Sequence, residues 1–164
     1  MARPKLKLTL SSFDVLMELM GGVLIILLVA YPLYRYAELP EVIPMHFDAT
    51  GKPDRFGSKC SIWILPMVGF VVYVGLMILN RFPHLFNYPT EITNHNAERQ
   101  YKLAATLVRT INFSTALIFY YITYQSVQSA LVGQDGLGRM FLPLVILGTI
   151  CPIAWYLIKV YRNG

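Results

Sequence analysis

Four apolar blocks constrain this chain more than any other feature. They run from about Phe13 to Tyr34, Ile62 to Leu79, Ala104 to Ala130 and Met140 to Val160. A helix needs roughly 20 residues to cross the hydrocarbon core of a bilayer. Inside that core the backbone must satisfy its own hydrogen bonds, which favours helices over open strands. The expected fold is an all-α integral membrane protein with four transmembrane helices. Residues 1–164 form one such domain, with a structured extracytoplasmic loop at 36–61 between the first two helices. Charged residues make up 14% of the chain, against about 25% in ordinary soluble proteins, so the blocks are not the core of a soluble fold.

The first block follows the basic stretch "MARPKLK", as in a signal peptide. No small-residue cleavage site comes after it, and "LLVAYPLYRY" turns aromatic and then charged. An uncleaved anchor is expected. Orientation follows from Lys and Arg outside the spans. Eight fall on the side of the termini (Arg3, Lys5, Lys7, Arg81, Arg99, Lys102, Lys159, Arg162) and five on the other (Arg35, Lys52, Arg55, Lys59, Arg139). The bias favours both termini in the cytoplasm. Basic residues that flank apolar blocks serve orientation and contact with headgroups of the lipid bilayer. They form no contiguous basic face, so a nucleic-acid partner is not expected. Cys60 and Cys151 share no metal-binding spacing, and no cofactor is implied.

Between the first two blocks lies "LPEVIPMHFDATGKPDRFGSK", Leu39 to Lys59. Pro40 and Pro44 hold its first part extended. "GKPD" suits a turn, with Gly51 free to take positive φ, Pro53 presetting its own φ, and Asp54 able to bond nearby amides. Ser58 is placed to cap the second helix. The loop should be an extended arm, a turn and a helix start, lying at the membrane surface or folded back over the helix ends.

Three chemical readings of this loop stand open. His46 and Asp48 alternate and would face the same way in extended chain, which is half of a metal site. Zinc wants three or four ligands, and the remaining nearby donors are carboxylates and Cys60. A plainer reading has His46 bonded to a backbone carbonyl and Asp54 closing the turn. The third gives His46, Asp48, Asp54, Ser58 and Lys59 to contact with an external ligand, a peptide or a lipid headgroup. No Ser/His/Asp spacing or phosphate-cradling loop argues for an enzyme.

The spans themselves carry polar groups. Asp14 and Glu18 lie one turn apart near the start of the first span, and Arg109 lies at matching depth in the third. Charges inside spans are costly and either pair or mark function. An interhelical ion pair is expected, with Glu18 the first partner of Arg109; snorkelling to the interface and an ion pathway are the alternatives. The third span also carries Tyr120, Tyr124 and Gln128 in its outer half. Either they bond between helices, at about 0.6 kcal/mol per contact, or they line a ligand pocket roofed by the loop. Thr93 or Asn94 should cap the start of that helix. The third loop, "LVGQDGLG", reads as a tight glycine-rich turn with no chemistry of its own.

The 39–59 loop resembles the signature of domain of unknown function 1648, a family of bacterial membrane proteins, which also begins SdpI-type immunity proteins. Pro44, His46, Phe47, Gly51, Pro53, Asp54, Gly57, Ser58 and Lys59 match its pattern. Asp48 stands where the family usually has asparagine, and Arg55-Phe56 replace a commoner Gly-Trp or Gly-Tyr. The resemblance implies a multi-pass protein of the bacterial inner membrane with a tie to immunity or signalling. SdpI-type proteins carry further spans, protect against a secreted peptide toxin and relay its presence to a regulator. The first functional expectation is therefore a module that binds or senses an extracytoplasmic peptide or lipid through the loop and the polar third helix. The alternatives are a metal-dependent membrane enzyme using the loop His and Asp residues, and a structural subunit that partners another membrane protein.

Overall fold

A computed structural model describes residues 3–134 and 136–162. Four helices are long and apolar enough to cross a membrane. We number them α1 (Ser12–Arg35), α2 (Ile64–Leu79), α3 (Ala97–Val132) and α4 (Phe141–Tyr161). A short 3-10 segment, Lys59–Trp63, leads into α2 and extends that span to Lys59–Leu79.

Each boundary has a local cause. Ser11 caps α1 through a capping box: its hydroxyl accepts from the Asp14 amide, and Asp14 accepts from the Ser11 amide, so two otherwise orphan donors are satisfied. The start of α3 differs from the sequence expectation. Thr93 and Asn96 exchange side-chain to backbone bonds in a turn of their own, and the helix begins at Ala97. Gly133, in the left-handed conformation at φ 67°, ends it. In α4 the helix widens to a π turn over Ile146–Ile150. Pro152 has no amide hydrogen to close a bond to Gly148, and the looser turn accommodates that loss.

The loop between α1 and α2 departs from an all-α fold. It forms an antiparallel hairpin of β1 (Val42–Phe47) and β2 (Pro53–Ser58). Val42 pairs with Ser58, Ile43 with Gly57, Pro44 with Phe56, His46 with Arg55, and Phe47 with Pro53. The register slips around Met45, a bulge that leaves this residue outside the ladder. Extended chain was expected here; its pairing was not.

Helix α3 is the hub, packed on α1, α2, α4 and β1. Ile25, Leu28 and Ala116 are buried between α1 and α3. At the hairpin end, Leu39, Ile43, Ile62 and Val127 bury one another against Tyr31, Tyr36 and Trp63. That apolar cluster seats the hairpin on the bundle.

Candidate binding site

The hairpin is built by the loop residues that the sequence singles out. Asp48 turns its carboxylate back into the turn, where it accepts from the Thr50 hydroxyl at 2.6 Å and from the amides of Thr50 and Lys52 at 2.8 and 3.0 Å. The Thr50 hydroxyl bond leads in holding the Asp48 carboxyl below its ordinary pKa, and the Lys52 amide adds to it. His46 Nδ1 lies 2.6 Å from Asp54 Oδ1 across the strands. Ser58 accepts from the Cys60 amide at 3.3 Å, and Lys59 pairs with Glu41 at 2.7 Å. All five side chains are thus engaged within the loop. His46 meets Asp54 rather than Asp48, and among the described residues no three of His, Cys, Asp and Glu converge as metal ligands would.

The tip of the hairpin is held by the third loop. Gly51, at φ 82°, presents its carbonyl to the Leu137 amide at 2.8 Å. The Leu137 carbonyl in turn accepts from Tyr121 at 2.7 Å and Gln125 at 3.1 Å, both on α3. Gly136 sits at φ 68°, and a Cβ there would run into the Gly51 carbonyl. This loop, which had no evident chemistry in the sequence, clamps the turn to the bundle through main-chain atoms.

Beneath β1 lies a cavity of about 100 Å³. Pro44, Met45 and Phe47 roof it, Ser61 and Leu65 form the α2 side, and Thr123 lies on the α3 side. Thr123 is 1% exposed. The hydroxyls of Thr123 and Ser61 are buried and have no hydrogen-bond partner among the described residues. A buried polar group without a partner costs about 1–3 kcal/mol, so this pair of hydroxyls invites an acceptor.

Tyr120, Tyr124 and Gln128 lie on a different stripe of α3. Gln128 donates to the Tyr31 hydroxyl at 2.9 Å, and the Tyr31 ring meets Tyr120 and Tyr124 at centroid distances of 6.4 and 5.1 Å. They join α3 to α1 and do not line the cavity. Thr123 carried a signal in the sequence, a hydroxyl in the outer half of a span. Only the hairpin's fold shows which face of α3 it shares with Ser61.

At the opposite end, Arg109 Nε bonds Glu18 at 2.7 Å, and Asp14 lies 3.7 Å from its Nη1. Asp14 also accepts from the Thr106 hydroxyl at 2.7 Å. Asn112 donates to the Tyr73 carbonyl and Asn80 to the Ala105 carbonyl, each at 3.1 Å. This set ties α1, α2 and α3 together near their chain ends.

Residues 23–70 match the family described as a domain of unknown function, DUF1648. The match covers the second half of α1, the hairpin and the first turns of α2. A stretch of 78 residues is 41% identical to an uncharacterised protein of Archaeoglobus fulgidus, and covers 43% of each chain. The match thus spans less than half the length of that relative. No solved structure matches the chain.

Proposed function

We propose that this chain is a membrane-embedded binding module that holds an apolar side chain of an extracytoplasmic peptide in the cavity beneath its hairpin. The observation that carries this reading is the pair of buried hydroxyls of Ser61 and Thr123, without partners among the described residues, in a wall whose one other hydroxyl, that of Ser126, is taken by the Ile122 carbonyl. A peptide brings what the site lacks. Its side chain fills the apolar volume, and its main-chain carbonyls accept from the two hydroxyls. A plain acyl chain would leave both donors unpaired, which favours a peptide over a lipid. The Lys and Arg bias supports an outward-facing hairpin, and the resemblance to immunity proteins fits a role in sensing or shielding against such a peptide.

The test is retention of a mass-coded library of capped apolar tetrapeptides, read by native mass spectrometry of the purified protein in detergent. Wild type should retain a subset of the peptides. Thr123→Val combined with Ser61→Ala should lose at least about tenfold in retention, as two hydrogen bonds of about 1 kcal/mol each imply. No retention by wild type, or equal retention by the double variant, would refute the reading.

A further inference from the structure

A second cavity, of about 210 Å³, lies at the other end of the bundle, between the arm that precedes α1 and the turn that follows α2. Lys7, Arg81 and Arg109 line it together with Asn80, and its lining includes no carboxylate. The three cations come from three separate segments. Arg3 helps fix the arm against the loop after α2 by donating to the Phe86 carbonyl at 2.5 Å and the His84 carbonyl at 3.4 Å, and Ser11 fixes the arm's far end to Asp14. Lys7 and Arg81 are exposed, and their side chains make no hydrogen bond or ion pair among the described residues. Arg109 bonds Glu18 through Nε at 2.7 Å and has Asp14 3.7 Å from its Nη1, so it brings its remaining N–H groups to the cavity, while the unpaired charge there comes from Lys7 and Arg81.

Asn80 adds an independent constraint. It is 7% exposed, and among the described residues its amide oxygen has no partner. The amide cannot usefully be turned around, because its nitrogen already donates to the Ala105 carbonyl. The residues that line this cavity therefore bring three cationic side chains and one buried amide oxygen without a partner among the described residues. Depth matters too. Asn80 and Arg81 follow directly on the last residue of α2, and Lys7 precedes the first residue of α1, which puts the cavity at the level of lipid headgroups if these helices cross the bilayer.

We propose that this cavity binds a polyol phosphate, an anionic phosphate ester that also carries a free hydroxyl. Its phosphate oxygens accept from Lys7, Arg81 and Arg109, as charge-assisted bonds do, and its hydroxyl donates to Asn80 Oδ1. The same chemistry is present in a phosphatidylglycerol headgroup and in soluble glycerol phosphate. A choline headgroup fails on both counts, since it offers no donor and sets a cation against three others.

The experiment uses the full chain in nanodiscs of mixed composition, released into detergent, with bound lipid counted by native mass spectrometry. Three lipids compete at equal fraction: phosphatidylglycerol, phosphatidylmethanol (anionic, without the hydroxyl) and phosphatidylcholine. Phosphatidylglycerol should be retained about tenfold over phosphatidylmethanol and further above phosphatidylcholine. Lys7→Gln with Arg81→Gln should lower that retention at least about tenfold and leave the melting temperature unchanged, because neither side chain holds the fold together. Displacement of the lipid by millimolar glycerol 1-phosphate would identify a soluble ligand; resistance to it would identify the lipid. Equal retention of phosphatidylglycerol and phosphatidylcholine, parity of phosphatidylglycerol with phosphatidylmethanol, or full retention by the double variant would overturn the proposal.

Discussion

The two ends of the bundle solve the same problem with opposite chemistry. At the hairpin end, α3 meets its neighbours through neutral groups: tyrosines, amides, hydroxyls and main-chain carbonyls. At the opposite end it meets α1 through one guanidinium and two carboxylates, beside the amides of Asn80 and Asn112 that join it to α2. A buried neutral group left unpaired costs about 1–3 kcal/mol, a load the hairpin end can carry at two hydroxyls. A charge left unpaired in a low-dielectric setting costs far more, so the charged end must stay paired to fold. One end keeps unpaired donors, and the other gains rigidity.

The largest effect should come from breaking the charged end. Arg109→Leu strands two carboxylates and should cost about 3–5 kcal/mol, read as unfolding in a denaturing detergent titration. Arg109→Leu with Glu18→Leu should recover at least half of that loss, since one stranded charge is gone. If the single and the double variants are equally stable, the pair is not a clamp and the contrast between the ends fails.

Next comes the clamp on the hairpin. Gly136→Ala forces a side chain into a left-handed position and against the Gly51 carbonyl. Strain of this kind costs about 1–3 kcal/mol, and it should stay local. Hydrogen exchange should quicken at Leu137 and Gly51 and stay unchanged in α1. Faster exchange throughout the spans would mean that the two ends are not separable.

Thr123→Val sharpens the comparison in the other direction. Removal of a buried, unpartnered hydroxyl should stabilise the protein by about 1 kcal/mol while peptide retention falls. A stability loss would mean that the hydroxyl already has a partner.

The smallest effect is in acid. The folded turn lowers the pKa of Asp48 below its value of 3.8 in unfolded chain. A depressed carboxyl contributes stability that is fully present above the unfolded value and is lost as pH falls through the folded one. Exchange at the Thr50 and Lys52 amides should therefore quicken only below about pH 4. Asp48→Asn keeps an acceptor oxygen in place, and its profile should be flat.

These differences also explain what could be read from the sequence. The four helices follow from the length of the apolar blocks, because bilayer thickness fixes that length. The contact of Glu18 with Arg109 follows from their matching depth, since few other partners are within reach of a charge in a span. The hairpin was harder to see. Its strands pair through main-chain groups, and Pro44 in one of them argues against a strand by the usual rule. The clamp from the third loop left no side-chain trace either, as it runs from one glycine carbonyl to a leucine amide. The cavity needs both of these pieces in place, so the stripe of Tyr120, Tyr124 and Gln128 drew attention to the face of α3 that meets Tyr31.

The measurement that bears most directly on the account is the side of the membrane on which the hairpin stands. Cys60 is free and exposed at its base. On a Cys151→Ser background, a membrane-impermeant thiol reagent is applied to intact cells, with Cys60→Ser plus Arg99→Cys marking the opposite end. The account predicts that Cys60 reacts in intact cells and that the marker at position 99 reacts only after permeabilisation. The reverse pattern would place the hairpin and its cavity in the cytoplasm, and an extracytoplasmic peptide could not be the ligand.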